Sequence, residues 1–272
     1  MYKRIIGSIL YYFRKINYKV AAVFSIILLI FFMYISISFF ILNRENIATM
    51  SAWDIYAAIF INNDLLGNVL IFFSLYYTFS CFQDCNREFF VQIRVNKHFN
   101  LFTSKIISIF VFNLSIVTIS TILSYTIGKI LIGGGSTWRT SIYSLFYSPV
   151  RIAFYNIITY SCYVTFLSQI IGVLFVKIGK STIPVILTLI YFAIDKFVFS
   201  FDRFVFSFVK VRFLKYISLS SYTIFNNRAF YLKDTDYLTV KESVILSVLL
   251  MVFTYSFISI TNRVHILKSE KI

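Results

Sequence analysis

The residues that could act in catalysis or hold a metal ion are few in this sequence, and their spacing fits neither role. The two histidines, His98 and His265, both lie in basic segments, without the clustered histidines or cysteines of a zinc site. Asp234 and Asp236 form a lone acidic pair that we interpret as part of a solvated loop. We therefore expect no metal site and no enzyme activity in this chain.

Motifs for nucleotide binding and hydrolysis are also missing. The sequence has no G-x-x-x-x-G-K-[ST] loop, whose backbone N–H groups cradle phosphates, and no H-E-x-x-H or G-x-S-x-G motif. The cysteines Cys81, Cys85 and Cys162 do not suggest a disulfide framework, and we interpret them as small apolar residues. We expect no cofactor bound by this chain.

Three side-chain amides, Asn113, Asn156 and Gln169, interrupt apolar stretches. Such groups are costly against lipid and usually face the interior of a helix bundle or a cavity. They could line a path through the protein; alternatively, they hydrogen-bond one helix to another. No acid lies in the middle of an apolar stretch, which argues against a proton- or sodium-coupled transporter.

The composition indicates an integral membrane protein. Hydrophobic residues make up 59% of the chain and charged residues only 14%, with a mean hydropathy of +0.80, whereas a soluble domain is about half apolar and a quarter charged. The net charge of +15 would suggest nucleic acid as a partner of a soluble protein. Here the cations flank apolar stretches, so we expect them to contact the lipid bilayer and not nucleic acid.

The hydropathy pattern predicts an all-α protein that forms a single transmembrane domain over residues 1–272, with six spans of about 20 apolar residues each. Met1–Lys19 has apolar residues at helical spacing and is predicted to be an amphipathic helix in the membrane interface, or else a basic flank of the first span. Asn43–Asp64 is expected to be an outer loop, and Ser200–Lys241 a partly re-entrant outer segment. The predicted spans are Val20–Leu42, Leu65–Phe82, Ile106–Ile132, Ile152–Val176, Thr182–Phe199 and Ser243–Ile260.

The cations predict the orientation. Asn86–Lys105, between the second and third spans, has four cations against one acid, which favours the cytoplasmic side, where anionic lipid attracts them. This places both termini in the cytoplasm. The segment Ser200–Lys241 is also basic and departs from the rule.

This layout resembles an ABC-2 type permease, the membrane subunit of an ABC transporter, in small bacterial members linked to peptide export or immunity. In that family the segment between spans two and three forms a coupling helix on the ATPase subunit. Some members have an acid, then Ile-Arg, polar or basic residues, aromatic residues and a lysine that opens span three. The matching residues here are Glu88, Ile93-Arg94, Asn96-Lys97, Phe99, Phe102 and Lys105.

The resemblance implies a bacterial plasma-membrane protein with two partners: a second permease subunit, identical or a sister, and a separate ATPase subunit that binds the ATP. The predicted contacts with that ATPase are Glu88, Phe89, Phe90, Ile93, Arg94 and Lys97. An amphipathic cargo such as a peptide would suit the aromatic, weakly polar spans. The alternative is a non-transporting membrane immunity or sensor protein that acts through Ser200–Lys241.

Overall fold

The computed structural model describes residues 2–14, 16–42, 44, 50–61, 63–82, 98–133, 148–178, 186–187, 190 and 240–269. In these residues the regular secondary structure is helical, without strands, as the sequence predicts. The helices are α1 (Tyr2–Arg14), α2 (Tyr18–Leu42), α3 (Ala52–Ile61), α4 (Asn63–Phe82), α5 (His98–Ile132), α6 (Pro149–Ile178) and α7 (Val240–Ser269).

Four of these helices, α2, α5, α6 and α7, are long and apolar enough to cross a membrane, which indicates a helical membrane protein. They coincide with four of the six predicted spans. The predicted second span corresponds to α4; Val69–Phe82, the part of this helix whose side chains are described, is apolar but shorter than a span. The predicted fifth span, Thr182–Phe199, lies outside the described residues apart from 186–187 and 190, so the total of six stays a prediction.

The ends of the long helices follow local backbone chemistry. Asn17 begins α2 as its N-cap, because its Oδ1 accepts a hydrogen bond from the Lys19 N–H at 3.0 Å. α6 begins at Pro149, where the missing N–H would have had no partner. Gly133 ends α5 with a φ of 94°, and its N–H bonds the Lys129 carbonyl at 3.0 Å, the left-handed ending that glycine favours.

α5 begins earlier than the predicted third span. Its 35 residues measure about 52 Å at 1.5 Å per residue, which exceeds a hydrocarbon core of roughly 30 Å. The uncharged part of α5 lies between Lys105 and Lys129, about 36 Å apart along the helix. We call the end of the bundle where α4 ends and α5 begins, which includes His98–Lys105, the basic end.

Pairs of contacts along the helices establish their directions. Going along α4, Phe73, Tyr77 and Phe82 meet α5 residues of decreasing number, so these two helices are antiparallel. α4 and α6 run parallel, since Ser74 meets Ser168 and Phe79 meets Phe175. α6 packs against α4, α5 and α7 and is the most buried of the four long helices, so it occupies the centre of the bundle.

α3 differs from the sequence-based expectation. Part of Asn43–Asp64, predicted as an outer loop, forms this helix, and most of its side chains, from Ile55 to Phe60, are buried. At its first turn the Asp54 carboxylate makes one half of a capping box, accepting a hydrogen bond from the Ser51 N–H at 2.7 Å and another from the Ser51 hydroxyl at 2.9 Å. α3 packs against α5 and α2, so it belongs to the core.

Candidate functional site

The predicted ATPase contacts, from Glu88 to Lys97, lie outside the described residues. The structure describes what this segment connects: the end of α4 at Phe82 and the start of α5 at His98. The candidate site is therefore built from the helices around the basic end and from the three amides of the interior.

A group of aromatic side chains joins α4 to α5 near the basic end. The Tyr77 and Phe112 rings stack with centroids 4.0 Å apart, and Phe73 meets the edge of Phe112 at 5.3 Å. The Tyr77 hydroxyl also hydrogen-bonds the Ser108 hydroxyl. Aromatic pairs add about 0.5–1.5 kcal/mol each to the effect of area burial, so the two helices form a firmly joined hairpin.

The amphipathic helix α1 packs on this hairpin. Phe13 lies 5.7 Å from the Tyr77 ring and 6.3 Å from the Phe112 ring, and Tyr12 is fully buried. Ile6 and Leu10, two apolar residues earlier in the helix, are exposed in the single chain. The helix predicted at the N-terminus therefore exists, and its last turn is inserted among the other helices.

Lys105 connects the same three helices through its charge. Its side chain is buried, and Nζ lies 4.8 Å from the centroid of the Phe82 ring on α4 and 5.9 Å from that of Tyr12 on α1. A cation over an aromatic face is stabilised by about 0.5–2 kcal/mol, with the larger values for desolvated groups. α1, α4 and α5 thus share a charged contact where the basic segment begins and ends.

All three interior amides are buried, but the structure places them in different surroundings. The Nδ2 group of Asn113 on α5 donates to the Thr165 hydroxyl of α6 at 3.0 Å, and that hydroxyl donates to the Ser161 carbonyl at 2.7 Å. Asn113 therefore hydrogen-bonds one helix to its neighbour.

Asn156 also bridges helices. Its Nδ2 group donates to the Tyr56 hydroxyl at 3.3 Å, and Thr121 of α5 hydrogen-bonds the same hydroxyl. This connects α3, α5 and α6. Tyr56 was not among the sequence-predicted site residues, and its signal was the capping box Ser51-Ala-Trp-Asp54 followed by an apolar stretch, which indicates a helix and not a loop.

Gln169 is the exception among the three. Its side chain is fully buried, and neither Nε2 nor Oε1 has a hydrogen-bond partner in the described part of the chain. Its neighbour Ser168 bonds Ser74 of α4 at 3.1 Å. The sequence singled out all three amides, but it could not distinguish the two bonded ones from Gln169.

The described residues contain no group of three or more His, Cys, Asp or Glu side chains that could hold a metal ion. Comparison with models of known families, with curated proteins and with solved structures finds no match for this chain. The function is therefore argued from the residues and their geometry.

Proposed function

We propose that this protein is the membrane-spanning permease subunit of an ABC transporter that exports an amphipathic substrate such as a peptide. In this proposal a separate ATPase subunit binds and hydrolyses the ATP, and a second permease subunit, identical or a sister, completes the transporter. The resemblance to ABC-2 permeases motivates the proposal. One structural observation supports it most: the basic segment joins two helices that are tied to each other and to α1.

A segment that couples an ATPase to membrane helices must pass its displacement on to them. The basic segment follows α4 in the sequence and includes the start of α5, and these two helices share the stack of Tyr77 on Phe112. Lys105 adds α1 through the rings of Phe82 and Tyr12. Because packed elements move as units, a push on Asn86–Lys105 would displace all three helices together.

The roles of the individual coupling residues follow from their chemistry. Phe89, Phe90 and Ile93 would fill apolar pockets of the ATPase, since a few central buried side chains carry most interface energy. Glu88, Arg94 and Lys97 would form polar contacts around them, where charges mainly affect association rate and salt dependence. In this proposal the protein lies in a bacterial plasma membrane, and the cations favour the cytoplasmic side for this face and for both termini.

The substrate path would lie between the two permease subunits. α2, α5 and α7 expose large apolar side chains in the single chain, among them Ile30, Ile122 and Phe253. These surfaces are available to lipid, to a second subunit or to the apolar part of a cargo. An amphipathic molecule would find both apolar side chains and scattered hydroxyls along them.

Truncation of the apolar coupling residues tests the proposal. The double variant Phe89→Ala with Ile93→Ala should release a co-purifying ATPase, or uncouple its hydrolysis from transport. The matched control, Arg94→Glu with Lys97→Glu, should weaken assembly less and change its response to salt. Both variants should still insert in the membrane, because these residues lie outside the predicted spans.

Purification of the detergent-solubilised protein from its native host gives the decisive measurement. If no P-loop ATPase accompanies the unmutated chain, and transport-linked resistance survives the double alanine change, the permease proposal is wrong. In that case the non-transporting immunity or sensor protein becomes the better explanation.

A further inference from the structure

Gln169 has a property that neither Asn113 nor Asn156 shares. Its carboxamide is fully buried, yet both of its polar atoms lack a hydrogen-bond partner within the described residues. The other two amides each donate to a hydroxyl on a neighbouring helix. Gln169 therefore does not connect the described helices by a hydrogen bond.

A buried amide of this kind costs more than a buried hydroxyl. Serine and threonine can donate to the carbonyl four residues earlier in their own helix, as Thr165 does to Ser161 and Ser124 does to Ser120. A glutamine amide has two donors and an acceptor oxygen, so it needs partners from elsewhere. Burial without them is unfavourable, and the more so in a bilayer, where lipid offers no substitute.

Gln169 lies well away from the charged residues of α6. Lys177 is the nearest charged residue of α6 on the side of the basic end, and eight residues of helix separate the two by about 12 Å. Asn113 lies at the same distance from Lys105 on α5. Gln169 thus lies inside the bundle, about one helical turn nearer the basic end than Thr165, whose hydroxyl bonds Asn113 of α5.

We propose that Gln169 lines a hydrated cavity inside the helix bundle of a single subunit and that its amide binds water there. The occupant must satisfy a donor and an acceptor at once. A bare anion would satisfy only the N–H groups and a cation only the oxygen, whereas water donates and accepts. Buried water of this kind normally makes about three hydrogen bonds to otherwise unpaired polar groups.

The surroundings on α6 support a polar cavity. Ser161, two turns earlier on the same half of the helix, is buried and its hydroxyl also lacks a partner among the described residues. Between them, Thr165 and Ser168 are small and polar. Eight residues, or about 12 Å of helix, separate Ser161 from Gln169, so a chain of water molecules and not a single one would reach both polar groups.

Thiol chemistry tests the hydration directly, because a thiol ionises and reacts with silver ion only where water reaches it. The two variants to compare are Gln169→Cys and Ile171→Cys, the second at a buried apolar position of the same helix. Both are made in a background with Cys81, Cys85 and Cys162 replaced by alanine. Silver ion should block the Gln169→Cys thiol at least tenfold faster than the Ile171→Cys thiol.

A thermal measurement on the purified chain tests whether Gln169 has a protein partner. Gln169→Met, which keeps the side-chain length, should leave the Tm unchanged or raise it. Asn113→Leu should lower the Tm by several degrees, because it removes the hydrogen bond between α5 and α6 that Thr165 accepts.

Two results would overturn the proposal: equal silver reaction rates at the two positions, or a fall in Tm for Gln169→Met as large as that for Asn113→Leu. Both measurements use the isolated chain without an ATPase. The hydrated cavity can therefore fail while the permease proposal stands, and the reverse also holds.

Discussion

α2 and α6 are both long enough to cross a membrane. They differ in that the more apolar helix, α2, is the less buried one. α2 is the more apolar of the two helices, but few of its residues are buried inside the protein, whereas most residues of α6 are. α6 contains Asn156, Gln169 and several buried hydroxyls. The less apolar helix is therefore the central one.

In a soluble protein the most apolar elements are the most buried, and here the order is reversed. The cause is the solvent, which is lipid and not water. Lipid tails are as apolar as leucine, so burying an apolar helix in protein gains little over leaving it in the bilayer. Polar groups, in contrast, lose most when they face lipid. A helix rich in serine, threonine and amides is therefore driven to the centre, and an apolar helix such as α2 can remain at the periphery.

The largest expected difference between α6 and α2 is in their response to added side-chain volume. Gly172 on α6 is packed so tightly that a Cβ atom there would lie 2.6 Å from Cε2 of Phe82. Gly172→Leu should destabilise the protein by about 1–3 kcal/mol through overpacking, as measured by thermal unfolding in micelles. The matched change on α2, Ala22→Leu, adds volume at an exposed position and should change stability little; equal effects would mean that α6 is not central.

A smaller effect is expected from loss of one hydrogen bond between helices. Thr165→Val keeps the shape of the side chain but removes the acceptor of the Asn113 bond, so we expect a loss of about 1 kcal/mol. Ser25→Ala on α2 removes only a bond of 2.8 Å to the Ala21 carbonyl of the same helix and should be nearly neutral. If the serine change costs as much as the threonine change, bonds between helices are not what distinguishes α6.

The smallest effect should come from the exposed face of α2. Ile30 is 63% exposed, so Ile30→Ala should change the free energy of unfolding by less than about 0.5 kcal/mol. Cross-linking in membranes should show the same oligomeric state as the unmutated chain. A loss of dimer in this variant would instead show that Ile30 of α2 lies in an interface between subunits.

Several features could be read from the sequence because they depend on local chemistry. Apolar length predicted the four long helices, and the amphipathic pattern predicted α1. α3 was missed because its aromatic residues suit a membrane interface as well as a core. Only contacts with other helices decide whether α3 lies at the interface or in the core. The backbone of Ala52 packs so closely on Gly128 of α5 that a Cβ atom added to Gly128 would lie 2.6 Å from the Ala52 carbonyl oxygen.

By itself the sequence determined that this is an apolar helical protein, where its four long apolar helices lie, and which side chains are too polar to face lipid. The tertiary structure alone decided what those side chains meet. Asn113 and Asn156 find hydroxyls on other helices, whereas Gln169 finds no partner in the described structure. The reason is that the free energy of placing a polar side chain in lipid depends on that residue alone. Its hydrogen bonds, in contrast, depend on the distance and direction of groups far away in the chain.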